Sequence, residues 1–106
     1  MRHIVKPENI ESTLREIYMY TAEHWGLAQA NKYHAQFEAA FEALAVKPGL
    51  GHTHPEIPQM YSIYPVGSHL VVYRADDKTL RIIAIFHNAM DIEARMFDIL
   101  KTYNLH

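Results

Sequence analysis

Three consecutive segments decide the fold: Ser68-His69-Leu70-Val71-Val72-Tyr73-Arg74, the short link Ala75-Asp76-Asp77-Lys78, and Thr79-Leu80-Arg81-Ile82-Ile83-Ala84-Ile85-Phe86-His87. β-Branched and aromatic side chains crowd both runs, and such residues fit a pleated, half-buried surface. The link is a hairpin turn in length and composition, so the two runs are expected to pair antiparallel. Along the second run, period-two alternation places Leu80, Ile82, Ala84 and Phe86 on one face and Arg81, Ile83, Ile85 and His87 on the other. Both faces are then mostly apolar, which predicts a central strand covered on each side.

Upstream, Pro65-Val66-Gly67 reads as a second turn and Gln59–Tyr64 as a third strand. Before that, residues 48–58 hold three prolines and two glycines, the composition of an irregular surface loop. The period changes to helical further back. Ala30, Tyr33, Phe37, Ala40, Phe41 and Leu44 recur at three- and four-residue steps, and Lys47-Pro48-Gly49 ends that helix. Ile10, Leu14, Ile17, Tyr18, Thr21 and Trp25 do the same, with Gly26 expected to close the turn. Trp25, Tyr33, Phe37 and Phe41 are read as one core stripe facing the sheet.

At the N-terminus, Arg2 to Lys6 is a short strand and Pro7 opens the first helix. At the other end Asn88 caps a last helix whose apolar stripe is Ile92, Met96, Ile99, Leu100 and Tyr103. The order is β-α-α-β-β-β-α: an α+β, two-layer fold with a helical hairpin packed on an antiparallel β-sheet. With no repeat or linker in sight, residues 1–106 read as one domain.

Hydrophobic residues make up 49% and charged residues 21%, which separates the chain from disordered sequences. It has no cysteine, so neither a disulfide framework nor a thiolate metal site can form. No apolar run has signal-peptide or membrane-span length, and a cytoplasmic protein without membrane contact is expected. The formal charge of −2 has the wrong sign for phosphate-led binding, so direct nucleic-acid binding is not expected. No phosphate-binding glycine loop or framed nucleophile is present, and no cofactor is expected.

Trp25-Gly26-Leu27-Ala28-Gln29-Ala30-Asn31-Lys32-Tyr33, Phe41, Leu44-Ala45 and Pro48-Gly49-Leu50-Gly51 resemble, in this order, the helical hairpin of ParE-type toxins. Pro65-Val66-Gly67-Ser68-His69-Leu70-Val71-Val72-Tyr73-Arg74, then Arg81-Ile82-Ile83 and His87-Asn88-Ala89-Met90-Asp91, are similar to the strand and terminal pattern of the same toxins. The resemblance covers roughly residues 4–97 and places the chain in the ParE/RelE group, closer to ParE. It implies a toxin of a type II toxin–antitoxin system with a cognate antitoxin, assembling with it as a hetero-oligomer or with itself as a homodimer. It also implies one of two targets: ParE members block DNA gyrase, and RelE members cut messenger RNA on the ribosome.

Cleaving RNA takes a base, an acid and cations that hold the phosphate as charge develops. RelE-type nucleases are similar in carrying an arginine in the middle strand, where this chain has Leu70. Many ParE-like sequences also carry an arginine before the Pro-Val-Gly turn, where this chain has Tyr61-Ser62-Ile63-Tyr64. A gyrase inhibitor that acts by protein contact is therefore the first expectation. The second is a messenger RNA endonuclease using His87 with Arg74 or Arg81. A weakened relative that only binds antitoxin is the third.

Under the first expectation, Arg74 and Arg81 are candidates to pair with acidic groups of a partner, for which guanidinium forks are suited. Tyr61, Tyr64, Tyr73 and His87 are candidate partner contacts beside them, with core packing as the alternative for the tyrosines and a strand-end bond at Asn88 for His87. His52, His54 and Glu56 could supply three metal ligands, but no fourth is evident and no metal site is assigned. His69 is read as structural, part of the turn.

Overall fold

A computed structural model of the chain describes residues 1–55, 57–88 and 92–104. In order these form β1 (His3–Val5), α1 (Glu8–Trp25), α2 (Leu27–Val46), a 3-10 turn (Pro48–Leu50), β2 (Ser62–Val66), β3 (His69–Ala75), β4 (Thr79–His87) and α3 (Ile92–Asn104). The four strands make one sheet in the order β1-β4-β3-β2. As expected, β2, β3 and β4 are consecutive antiparallel neighbours. β1 joins the far side of β4 in parallel, so the complete sheet is mixed. That direction follows from the intervening helices and strands, since a parallel neighbour needs a long crossover.

Gly26 alone joins the two long helices, with φ of +92° and ψ of 166°. Only glycine adopts that region freely, so the residue sets the sharp reversal of the hairpin. Lys47 and Pro48 end α2 as expected, and a 3-10 turn follows directly. The Pro48–Pro58 segment is less superficial than its composition predicts. His52 and Ile63 exchange two backbone hydrogen bonds, at 3.0 and 2.8 Å, and Ile57 is buried.

The sheet carries apolar side chains on both faces. Ile10, Leu14, Phe37, Phe41, Leu44, Val71, Tyr73, Leu80, Ile82 and Ile85 pack between it and the helical hairpin. Ile57, Ile63, Val72, Ala84, Phe86 and Met96 form the core on the opposite face, joined by half-buried Ile92, Ile99 and Leu100 of α3. Tyr103 and the residues between Asn88 and Ile92 lie outside those whose side chains are described, and so does any cap that Asn88 provides.

Strict alternation in β4 fails, and the register shows why. Val72 pairs with Ala84 but Tyr73 pairs with Ile82, so Ile83 is an extra residue opposite that step. Such a bulge reverses which parity faces which side. Leu80 and Ile82 therefore share the hairpin face with Ile85, while Ala84 and Phe86 turn to the α3 face. The shift also moves His87 to the hairpin side, where it lines a cleft.

Trp25 is the second correction. It is 66% exposed, together with Met19, Tyr20 and Leu27 near the Gly26 joint. Helical spacing alone puts Trp25 on the stripe, but it is the last residue of α1 and stands at the rim of a cleft, not in the core.

Candidate functional site

One cleft of about 580 Å³ opens between the helical hairpin and the β2–β3 turn. Tyr20, Thr21 and Trp25 of α1, Gln29, Tyr33 and Gln36 of α2, the Gly67-Ser68 turn, and His69 and His87 line it. Tyr20 and His24 stack at 4.0 Å between ring centres, and Trp25 lies 6.1 Å from Tyr20. An aromatic wall thus faces a polar, histidine-bearing strand end.

Tyr33 ties the two sides together. Its hydroxyl donates to the Val66 carbonyl at 2.8 Å, accepts from the Ser68 amide at 3.2 Å and lies 2.6 Å from His69 Nδ1. A phenol has one proton and two lone pairs, so with the proton on Val66 the remaining bond is donated by His69 Nδ1–H. The ring of His69 is thereby fixed in orientation and tautomer. Gly67, with φ of +55°, leaves room for this contact; a Cβ there would stand 2.6 Å from the Tyr33 ring.

His69 and His87 are direct partners across β3 and β4, with ring centres 5.4 Å apart and planes nearly perpendicular. Burial, and next the neighbouring His87, hold the pKa of His69 below the usual 6.5. His69 is thus more than a turn residue. Its partnership with Tyr33 spans 36 positions and leaves no local trace in the sequence.

At the opposite end of the same ribbon, Arg74 and Arg81 are direct partners and both are exposed. They line a small polar recess with Ala75, Asp76 and Thr79. The Asp76 carboxylate accepts from the Lys78 and Thr79 amides, each at 2.8 Å. Those two bonds, and then Arg2 and Arg74, hold its pKa below the ordinary 3.8. Arg2 also donates to the Asp76 carbonyl and, at 3.2 Å, to that of Ala45.

The structure thus brings Arg74 and Arg81 together and leaves His87 apart from them. Six positions along β4 take the strand from Arg81 to His87, about 20 Å at the rise of a strand. Tyr61 and Tyr64 are half-buried on opposite faces, Tyr61 against the α3-side core and Tyr64 against the hairpin-side core. Tyr73 is 1% exposed, which removes it from any partner surface. Its hydroxyl donates to the Pro48 carbonyl and accepts from the Gly51 amide at 3.0 Å, anchoring the loop after α2. Leu70 is half-buried on the α3 side.

Exposed His52 and half-buried His54 lie on the loop, while Glu56 is outside the described residues. Among the described residues no group of three or more His, Cys, Asp or Glu is arranged to hold a metal ion. No described helix is long and apolar enough to cross a membrane.

The family model of the "ParE toxin of type II toxin-antitoxin system, parDE" matches residues 8–92, and the chain belongs to that family. It is 30% identical over 86 residues to Toxin ParE1 of Caulobacter vibrioides, covering 81% of this chain and 88% of that one. Toxin ParE1 of Mycobacterium tuberculosis is 28% identical over 96 residues, covering 90% and 97%. A solved structure titled as the chromosomal ParDE TA system from P. aeruginosa shares the fold, with a TM-score of 0.69 at 16% identity, over 82% of this chain and 96% of that one.

Proposed function

We propose that this toxin arrests growth by binding DNA gyrase, and that a cognate antitoxin neutralises it by covering its exposed surfaces in the cytoplasm. Residues 1–106 act as one domain, and action is by contact, without a catalysed step. Membership of the ParE family supports the toxin role. The observation that carries the choice of target is the composition of the His87 cleft, which among the described residues no lysine or arginine lines. Two imidazoles could move protons there, but among the described residues no lysine or arginine side chain would meet a phosphorane's developing charge. The nearest arginine pair on the strand stands at its other end.

Exposed Tyr20 and Trp25, in contact with each other at the cleft rim, support a protein-binding role, because aromatic side chains grouped in water mark interaction surfaces. In this reading Arg74 and Arg81 take an acidic group of the antitoxin, the partner class that relieves two guanidinium groups side by side. Tyr61, Tyr64 and His87 supply the remaining candidate contacts.

A paired assay on purified chain tests the target: supercoiling by DNA gyrase, and cleavage of messenger RNA on translating ribosomes. Loss of supercoiling with intact message is expected. Codon-linked cleavage abolished by His87→Ala would assign the nuclease instead, and inactivity in both assays would leave an antitoxin-binding relative. Coexpression with the neighbouring antitoxin gene is expected to restore growth.

A further inference from the structure

We propose that His69 and His87 form a binding site for a divalent transition metal ion, zinc(II) above all, whose other coordination positions open into the cleft. The two residues are registered partners on adjacent antiparallel strands. This arrangement sets two side chains about 5 Å apart at Cβ and pointing the same way. Zinc–nitrogen distances of about 2.0–2.1 Å with tetrahedral angles place two ligating ring centres roughly 5 Å apart. Here they are 5.4 Å apart with nearly perpendicular planes.

The surroundings are those of a ligand. A metal-bound histidine characteristically donates its other ring N–H to a fixed acceptor, which orients the ring and raises its basicity. Tyr33 fills that role for Nδ1 of His69, leaving Nε2 to coordinate. The acceptor is itself held by Val66 and Ser68, so the ring is set before any ion arrives. Among the described residues no lysine or arginine lines the cleft to repel a cation, and imidazole nitrogen suits zinc, nickel and copper. Such an ion would fasten the ends of β3 and β4 to each other and, through Tyr33, to α2.

The test uses the full chain without a histidine tag, titrated with zinc chloride alone and followed by calorimetry and thermal unfolding. A one-to-one step is expected, together with a higher Tm in zinc. His87→Gln, at an exposed position that leaves the fold intact by circular dichroism, is expected to remove the step and the zinc-dependent gain in Tm. Tyr33→Phe should weaken the step by about tenfold or more, the usual effect of losing an outer-shell partner. His52→Gln with His54→Gln should change neither. Absence of a one-to-one step in the unmodified chain, its survival in His87→Gln, or its loss in the loop double variant would each overturn the proposal. None of these readouts depends on gyrase, so failure of the metal site and failure of the gyrase reading are told apart by different measurements.

Discussion

The two ends of the β3–β4 ribbon share strands and register but are held by different kinds of interaction. At one end His69 and His87 face a cleft, and Tyr33, from a helix 36 positions away, fixes the histidine ring and the turn beside it. At the other, Arg74 and Arg81 stand in water around a turn tied by Asp76 to amides two and three residues on. The first end depends on how a helix packs on the sheet, the second on its own turn and on the neighbouring strand β1, whose flanking Arg2 donates to the Asp76 carbonyl. A substitution at the histidine end should therefore reach the whole fold, and one at the arginine end should stay local.

Gly67→Ala is the hardest test of that contrast. The substitution forces a side chain into a positive φ and drives a Cβ to within 2.6 Å of the Tyr33 ring. Left-handed strain and overpacking together should cost about 2–4 kcal/mol, read as a lower midpoint in urea with an unchanged slope. A loss no larger than that of an ordinary surface change would show that the turn is not clamped to the helix. Tyr33→Phe comes next. It leaves the ring in place but strips the hydroxyl from Val66, Ser68 and His69, which should cost about 1–2 kcal/mol.

Acid should act on the histidine end within the range of ordinary buffers. Because the pKa of His69 is lowered in the folded chain, the unfolded chain binds that proton first. Its contribution is complete above 6.5 and is lost as pH falls from 6.5 through the lower folded value. His69→Gln should flatten the stability profile in that window. Urea midpoints measured across it would decide the matter, with an unchanged profile in the variant counting against the buried pairing.

Arg74→Gln with Arg81→Gln should leave stability within about 0.5 kcal/mol, because both groups are exposed and separating like charges offsets lost packing. Antitoxin affinity is where this pair should register, by tenfold or more in a binding titration at moderate salt. Unchanged affinity would remove the arginines from the proposed partner surface and leave the rim at Trp25 as the better candidate.

How far each end could be read in the sequence follows the same division. The arginine-end turn was legible because Asp76, Lys78 and Thr79 interact within four residues, and the boundaries of β4 came out as Thr79–His87 from composition alone. The helical hairpin was legible from its period, since Ile10, Leu14, Phe37, Phe41 and Leu44 are buried as their spacing requires. The histidine-end cleft was not. Its making depends on a bulge at Ile83 that no local residue announces, and on Tyr33 meeting His69 across the layers. Trp25 was misread for a related reason: periodicity gives the face of a helix but not where the covering sheet stops. Among the candidate tyrosines, only tertiary structure could separate buried Tyr73 from half-buried Tyr61 and Tyr64.

The smallest effect expected belongs to Asp76, and its sign is as informative as its size. The carboxylate is fully exposed, yet two amides and, more weakly, Arg2 and Arg74 favour its charged form. A depressed folded pKa means that its contribution is present above 3.8 and is lost as pH falls from there through the folded value. This window lies below that of His69, so acid should loosen the histidine end before it touches the arginine end. Asp76→Asn keeps an oxygen that can accept from the Lys78 and Thr79 amides and removes only the charge. It should therefore erase the low-pH window while leaving neutral stability nearly unchanged, and added salt should trim the part due to the arginines. Amide exchange at Lys78 and Thr79 provides the local readout. If those amides lost protection near pH 6 together with the Ser68 amide, the two ends would be one cooperative unit and the contrast between them would fail.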